Sequence, residues 1–422
     1  MNNKLKIGII GLGTVGQGVV KVLSKYDDIE IVSCAVKNLS KKRDVEVKNL
    51  TKDAMEIAKD PSIDVVVEVA GGVGILEVLS LAIENKKHIV TANKELLARH
   101  GAKLFDLARE NGVAILYEAA VAGGIPIIMP IKTTLSANEF VSVAGILNGT
   151  TNYILTKMEE EQLSYSDCLS KAQALGYAET DPTGDVEGYD AMYKIAILAN
   201  IVFNKRIDIN RIYREGITNI SEVDIRIADE LGYKIKLIAS AKKLNYDNRD
   251  DVLDIRVHPM LVSKNKSIAD VKNATNAVLL TGFPVDKVMF TGPGAGEFPT
   301  ASSVVGDILT IKSEIDNCKN PLPMTVCHHD KYAYQIDIEK TVNCYYLRID
   351  ANNEPGVIGR IGTASAEFGI NLSYIIQKNK NQQDRATIIV ITEECFEADM
   401  NNMITRLQKD KTTKVVNRIR VM

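Results

Sequence analysis

Lys6–Leu23 reads KIGIIGLGTVGQGVVKVL, and its interpretation decides the fold. The apolar run from Leu5 to Ile10 has the composition of a buried strand. Gly11, Gly13 and Gly16 follow in G-x-G-x-x-G spacing, with Thr14 and Val15 opening a helical run. The first glycine permits the tight turn, the second lets backbone approach a pyrophosphate, and the third lets the helix pack against the strand. The helix amino terminus attracts the negative charge. The spacing alone is a weak signal. Here a second apolar strand, EIVSCAVKN (30–38), completes the βαβ context that gives the motif its meaning.

Further along, apolar strand candidates recur at 5–10, 30–36, 63–70, 88–92 and 113–118 with helical stretches between several of them. This alternation predicts an α/β fold with a Rossmann-type doubly wound parallel sheet over residues 1–130. Ligands in such sheets bind beyond the carboxyl ends of the strands, so the loops Ala70–Gly72, Thr91–Lys94 and Glu118–Gly124 become candidate site loops. Lys94 is then expected to reach the nicotinamide end of a dinucleotide; an exposed lysine is the plainer reading. The carboxylate that would hold the ribose hydroxyl of NAD, about 20 residues past the glycines, is missing. Lys41, Lys42 and Arg43 stand near that place instead. They suit the 2′-phosphate of NADP(H), the preferred cofactor here with NAD(H) as the alternative, or they form a solvated loop.

Composition narrows the class of partner. A chain of 422 residues with net charge −3 offers no electrostatic case for nucleic acid or an anionic membrane. The most apolar windows are interrupted by Asp64, Glu68 and Glu77 or are too short to span a bilayer, and no secretory segment opens the chain. Six cysteines without a C-x-x-C pair suit a reducing, cytoplasmic setting. A small-molecule substrate is expected.

The stretch GYAETDPTGDVEGYDAMYKIAILAN (176–200) sets an acidic loop against a lysine in an apolar helix. Asp190 and Lys194 stand at i and i+4 on one face. Flanked by Ile195, Ile197 and Leu198, Lys194 is expected to be partly desolvated and so able to exchange protons. Glu179, Asp181 and Asp185 precede it in a loop where carboxylates could meet a substrate ammonium. An ordinary helical ion pair is the competing interpretation. The surrounding residues 131–289 predict a mixed α+β domain for catalysis and dimerisation. FTGPGAGEFPTASSVVGDILTIK (290–312) predicts a second glycine turn and helix returning to the nucleotide domain over about 290–316, with Gly296 near the cofactor.

GLGTVGQG, VTANKELLARHG, YEAAVAGGIPII, GILNGTTNYIL, GYAETDPTGDVEGYDAMYKIAILA and GPGAGEFPTASSVVGDI, in that order, resemble homoserine dehydrogenase across nearly all of residues 5–315. The resemblance implies reversible NAD(P)H-dependent reduction of aspartate 4-semialdehyde to homoserine. It implies Lys194 as catalytic lysine, Glu179 and Asp190 as substrate-binding carboxylates, Lys94 as a second lysine near the nicotinamide, and Gly176 and Gly296 at cofactor positions. It also implies a monovalent cation, usually sodium, held by Glu118 and the carbonyls of Val121, Gly123 and Ile125. One anionic ligand with several carbonyls suits such a hard ion. A homodimer or homotetramer is expected. A phosphorylating semialdehyde dehydrogenase would need an activated cysteine in a site loop, and none falls there. A nucleotide-binding regulator without turnover is the other alternative, opposed by the joint presence of Glu179, Asp190 and Lys194.

Residues 317–342 predict a linker; Cys318, Cys327, His328 and His329 fit no zinc spacing. Beyond it, YYLRIDA, NNEPGVIGRIG, NLSYIIQKN, RATIIVITE, EADMNNMITRLQK and VVNRIRVM give the order βαββαβ, predicting a ferredoxin-like domain over 343–422. The turn at Pro355–Ile358 resembles the ligand loop of ACT domains, which implies an amino-acid effector, threonine first, with a purely structural or dimerising role as the alternative. Asn353 stands where many such loops carry aspartate.

Overall fold

The computed structural model describes residues 4–317, 329–379 and 385–422; the cysteines and His328 of the linker motif lie outside them. The chain forms two compact units, each built from three segments.

The first unit comprises residues 1–149, 190–210 and 274–333. Its sheet is formed by β1 (Leu5–Ile10), β2 (Ile29–Ala35), β3 (Leu50–Thr51), β4 (Val65–Glu68), β5 (His88–Thr91) and β6 (Ile115–Leu116), in the order β3-β2-β1-β4-β5-β6. Every pairing is parallel. Strands in such a sheet are covered on both faces, which is why β4 is VVVE with all four residues buried. The strand order reverses between β1 and β4, so loops diverge there and leave a crevice at the carboxyl ends. Helices α1 (Thr14–Leu23), α2 (Ala54–Lys59), α3 (Leu76–Glu84) and α4 (Lys94–Asn111) make the crossovers.

The long helix Glu297–Asn317 lies against α1. Its Ala301, Val304, Val305, Ile308 and Ile311 join Ile7, Ile9, Val19 and Leu23 in one core. The same unit holds an antiparallel set in which Thr275–Phe283 pairs with Glu139–Ile146 on one side and with Asp286–Pro293 on the other. It also holds the helix Tyr189–Phe203 from Asp190 onward.

The second unit comprises residues 150–189, 211–273 and 334–422. Tyr233–Tyr246 and Arg249–Ser263 form a long hairpin. Asp247 and Asn248 turn it with φ of 53° and 56°, the left-handed pair that a two-residue hairpin turn needs. The end of the hairpin's second strand pairs in parallel with the last strand, Thr413–Val421. That strand pairs with Val342–Asn352, then come Arg385–Thr392 and Leu372–Asn379, all antiparallel. Helices Val357–Glu367 and Glu397–Gln408 cover this part, burying Val357, Ile361, Met400, Met403 and Leu407 against Tyr345, Leu347 and Ile349.

Two knots of buried charge tie this unit together. Arg420 donates to Glu397 through Nε (2.9 Å) and Nη2 (2.5 Å), while Arg418 reaches Glu397 at 3.0 Å and Glu215 at 3.1 Å. Asp224, fully buried, accepts from Arg348 Nε (2.7 Å), Tyr346 Oη (3.1 Å) and Asn417 Nδ2 (2.9 Å). Among the described residues no helix is long and apolar enough to cross a membrane.

Candidate active site

The glycine turn after β1 has the form a dinucleotide requires. Gly11 adopts φ +100°, and a Cβ there would meet Ala70 backbone at 2.7 Å. At Gly16 a Cβ would lie 2.1 Å from the Gly11 carbonyl oxygen, so only glycine lets α1 approach β1 this closely. Gly13 faces open space and precedes Thr14 and Val15 without any side-chain cap, leaving the first amides of α1 for an anion. These residues fit a pyrophosphate-bearing cofactor. After β2, Arg43 donates to the carbonyls of Asn38 (2.6 Å) and Lys41 (2.7 Å), and Lys41 and Lys42 are exposed.

At the end of β4, Glu68 is fully buried, and burial pushes its carboxyl up despite the hydrogen bonds that favour the charged form. It accepts from the amides of Ala70 and Gly71, both at 2.9 Å, and from Thr91 Oγ1 at 2.6 Å. Asn93 donates to the Gly72 carbonyl at 2.8 Å and caps α4 by accepting from the Leu96 amide at 3.1 Å. Lys94 is the first residue of α4, so this chain of bonds sets where its stem begins.

Lys94 and Lys194 meet at one carboxylate. Lys94 Nζ lies 2.8 Å from Asp190 Oδ1, and Lys194 Nζ lies 2.7 Å from Oδ2. The two side chains differ in exposure, 42% for Lys94 against 9% for Lys194. Lys194 also donates to the Leu147 carbonyl at 2.7 Å, and Asn148 Nδ2 donates to Asp190 Oδ2 at 2.9 Å. Burial would raise the Asp190 carboxyl, but Lys194 and then Lys94 outweigh it and hold the group well below the usual carboxylate range. One carboxylate shared by two ammonium groups leaves the cluster a positive charge in excess. Such a cluster can donate a proton to, and stabilise, an oxygen that gains negative charge.

Other expected site residues are placed as follows. Glu118 is buried in a short 3-10 turn, and its Oε1 accepts from the amides of Ile127 (2.5 Å) and Ile128 (2.7 Å) while Oε2 accepts from Met129 (2.8 Å). It thus caps the helix Ile128–Lys132, and Oε2 retains room for a further partner. Val121 and Ile125 are buried beside it in sequence, and the Gly123 carbonyl accepts from Ser303 Oγ at 2.7 Å. One carboxylate oxygen with backbone carbonyls fits a monovalent cation. Among the described residues no cluster of three His, Cys, Asp or Glu is arranged for a metal.

Gly296 has φ +123° at the head of the helix Glu297–Asn317. Gly176 and Glu179 belong to the second unit: Gly176 has φ +75° after the helix Tyr165–Ala174, and Glu179 is exposed with its carbonyl accepting from Gln173. Glu68, Asn93 and Asn148 had no assigned role in the sequence, although Asn93 and Asn148 sit within the quoted motifs VTANKELLARHG and GILNGTTNYIL.

Comparison with known proteins agrees along the whole chain. The family model described as homoserine dehydrogenase matches residues 126–309, and that described as homoserine dehydrogenase, NAD binding domain, matches residues 11–118. The homoserine dehydrogenase of Pseudomonas aeruginosa is 41% identical, over 99% of this chain and 98% of its own. The crystal structure of a homoserine dehydrogenase from Thiobacillus denitrificans superposes with TM-score 0.90 at 36% identity, covering 99% of this chain and 98% of that one. A hyperthermophilic archaeal homoserine dehydrogenase in complex with NADPH covers 76% of this chain and 100% of its own, with TM-score 0.64 at 25% identity. A lysine pair on a shared carboxylate and a dinucleotide turn are what such an enzyme needs, and the chain belongs to the homoserine dehydrogenase family of NAD(P)-dependent oxidoreductases.

Proposed function

We propose that the chain reduces the aldehyde of L-aspartate 4-semialdehyde to L-homoserine and runs the reverse, with Lys194 as the proton donor and acceptor. The observation that carries this reading is the buried Lys194 ammonium, aimed by its bonds to Asp190 Oδ2 and the Leu147 carbonyl. A bound nicotinamide supplies hydride to the aldehyde carbon and takes it back in the reverse direction. As negative charge grows on the substrate oxygen, Lys194 donates a proton to it, and Lys94 adds a second positive charge through Asp190. In oxidation the neutral Lys194 amine removes the hydroxyl proton. Asp190 aims both lysines and binds the substrate amino group.

Gly11, Gly13, Thr14, Val15 and Gly16 would cradle the pyrophosphate, with Gly296 and Lys94 further along the cofactor. Lys41 and Lys42 favour NADP(H), the form bound by the archaeal relative. Glu118 and the carbonyls of Val121, Gly123 and Ile125 would hold a sodium ion, which would order the loop. Residues 343–422 form a ferredoxin-like, ACT-like module, a reading supported by strand order four-one-three-two within it. Threonine is its effector.

The test is the oxidation of homoserine with NADP by the purified protein. Lys194→Ala is expected to lower kcat on the order of 10³-fold while leaving NADP binding intact. Near-normal turnover in that variant would remove Lys194 from the role. Initial rates with NAD and NADP, with and without threonine, test the remaining assignments.

A further inference from the structure

We infer that Asn276 is a positioning residue for the Lys194 ammonium, acting through the Leu147 carbonyl oxygen that the two side chains share. The inference rests on the reading of Lys194 as proton donor and names what aims it. Asn276 lies fully buried on the strand Thr275–Phe283, and its Nδ2 donates to the Leu147 oxygen at 3.0 Å. Lys194 Nζ donates to the same oxygen at 2.7 Å. The opposite end of the amide, Asn276 Oδ1, is buried and has no hydrogen-bond partner among the described residues.

A buried acceptor without a partner costs stability, and a leucine of nearly the same shape would avoid that cost. The amide cannot simply turn over to relieve it, because Oδ1 would then face the Leu147 carbonyl. It is also clamped from the side. A Cβ built on Gly294 would lie 2.1 Å from Asn276 Cγ and 2.1 Å from Nδ2, so the glycine loop rests directly on the face of the amide. A Cβ on Gly123 would in turn lie 2.5 Å from the Gly294 carbonyl oxygen. The loop that carries Gly296 and the carbonyl that holds Lys194 are therefore joined by one rigid side chain.

Two donors on one oxygen fix the direction of that oxygen and reduce the share of the ammonium charge it accepts. The groups facing Lys194 include Asp190 on its own helix, Lys94 across that carboxylate, the Asn148 amide and the Leu147 carbonyl. Without Asn276 the carbonyl turns wholly to the ammonium, favours its charged form and lets its direction drift.

The test is Asn276→Leu, assayed for homoserine oxidation beside the parent and Lys194→Ala. The leucine variant is expected to melt at or above the parental temperature and to bind NADP normally. Its kcat should fall about tenfold with KM for homoserine within about twofold, since aim rather than binding is lost. The acidic limb of its kcat profile should move up by about half a pH unit. Parental kcat together with an unmoved limb overturns the inference. Should the leucine variant fail to fold, the isosteric Asn276→Asp carries the same test with a larger upward move of the limb, and a parental profile there also overturns it. If Lys194→Ala retains turnover, the reading of Lys194 falls first. If Lys194→Ala is inactive while Asn276→Leu is parental, only the role of Asn276 falls.

Discussion

Asp190 in the first unit stands between two lysines, whereas Glu397 and Glu215 in the second stand against two arginines. Both clusters are bound tightly, yet their charges and exposure differ. The arginine cluster balances, with Arg420 fully buried and bidentate on Glu397, and Tyr345 Oη adding a bond at 2.6 Å. Nothing in it is left to offer a substrate. The lysine cluster sets two ammonium groups on one carboxylate and places one of them in partial contact with solvent. Lysine rather than arginine is what proton exchange demands, since a guanidinium does not give up its proton in proteins. Buried charge that cancels holds a fold together; buried charge that does not cancel is held ready for a partner.

The largest expected effect comes from breaking the lysine cluster. Asp190→Asn removes the charge both lysines share and should lower kcat/KM on the order of 10³-fold, equivalent to about 4 kcal/mol, with a smaller loss of melting temperature. Steady-state kinetics with a thermal melt checks it, and a variant that loses stability while keeping kcat/KM would place Asp190 with the structural clusters. Glu397→Ala should show the converse, a loss of about 3 kcal/mol in denaturant unfolding with kcat of the folded fraction unchanged. A tenfold fall in that kcat would end the distinction between the clusters.

His329 sharpens the comparison by avoiding charge altogether. Burial first, then Lys132 and Arg206, push its imidazole down to about 4 from an ordinary 6.5. The unfolded chain therefore binds a proton in a window where the folded chain does not. This contribution is complete above about pH 6.5 and drains as pH falls toward 4, by about 3 kcal/mol. In His329→Gln the dependence of melting temperature on pH should flatten across that window, and an unchanged slope would show that His329 is not its source. The smallest effect is expected at Lys41 and Lys42, where the double alanine variant should weaken NADP binding by about 1 kcal/mol and NAD binding hardly at all. Fluorescence titration with each cofactor distinguishes this from equal weakening.

The parallel sheet was legible because its signals are local: each main strand is an apolar run and each glycine of the turn has a fixed offset. Leu50–Thr51 was not, since two residues carry no period. Asp286–Pro293 was read partly as a glycine turn, because its edge position leaves much of it half-exposed and weakens the strand pattern. In the site, Asp190 and Lys194 announced themselves by helical spacing. Asn148 and Asn276 did not, because their partners lie 42 and 129 residues away and a buried amide looks in sequence like any surface one. Glu68 read only as an interruption in an apolar run; its work depends on Thr91, which the parallel pairing of β4 with β5 brings alongside.

The loop after β2 carries a consequence for how such enzymes diverge. Arg43 spends its guanidinium on the carbonyls of its own loop, and Asn38 Oδ1 accepts from both the amide and the hydroxyl of Ser40. The loop's shape is thus self-supporting, and the outward positions 41 and 42 can be exchanged without remodelling it. If Lys41 and Lys42 meet the 2′-phosphate as proposed, selection can retune nucleotide choice there while leaving the machinery around Asp190 untouched.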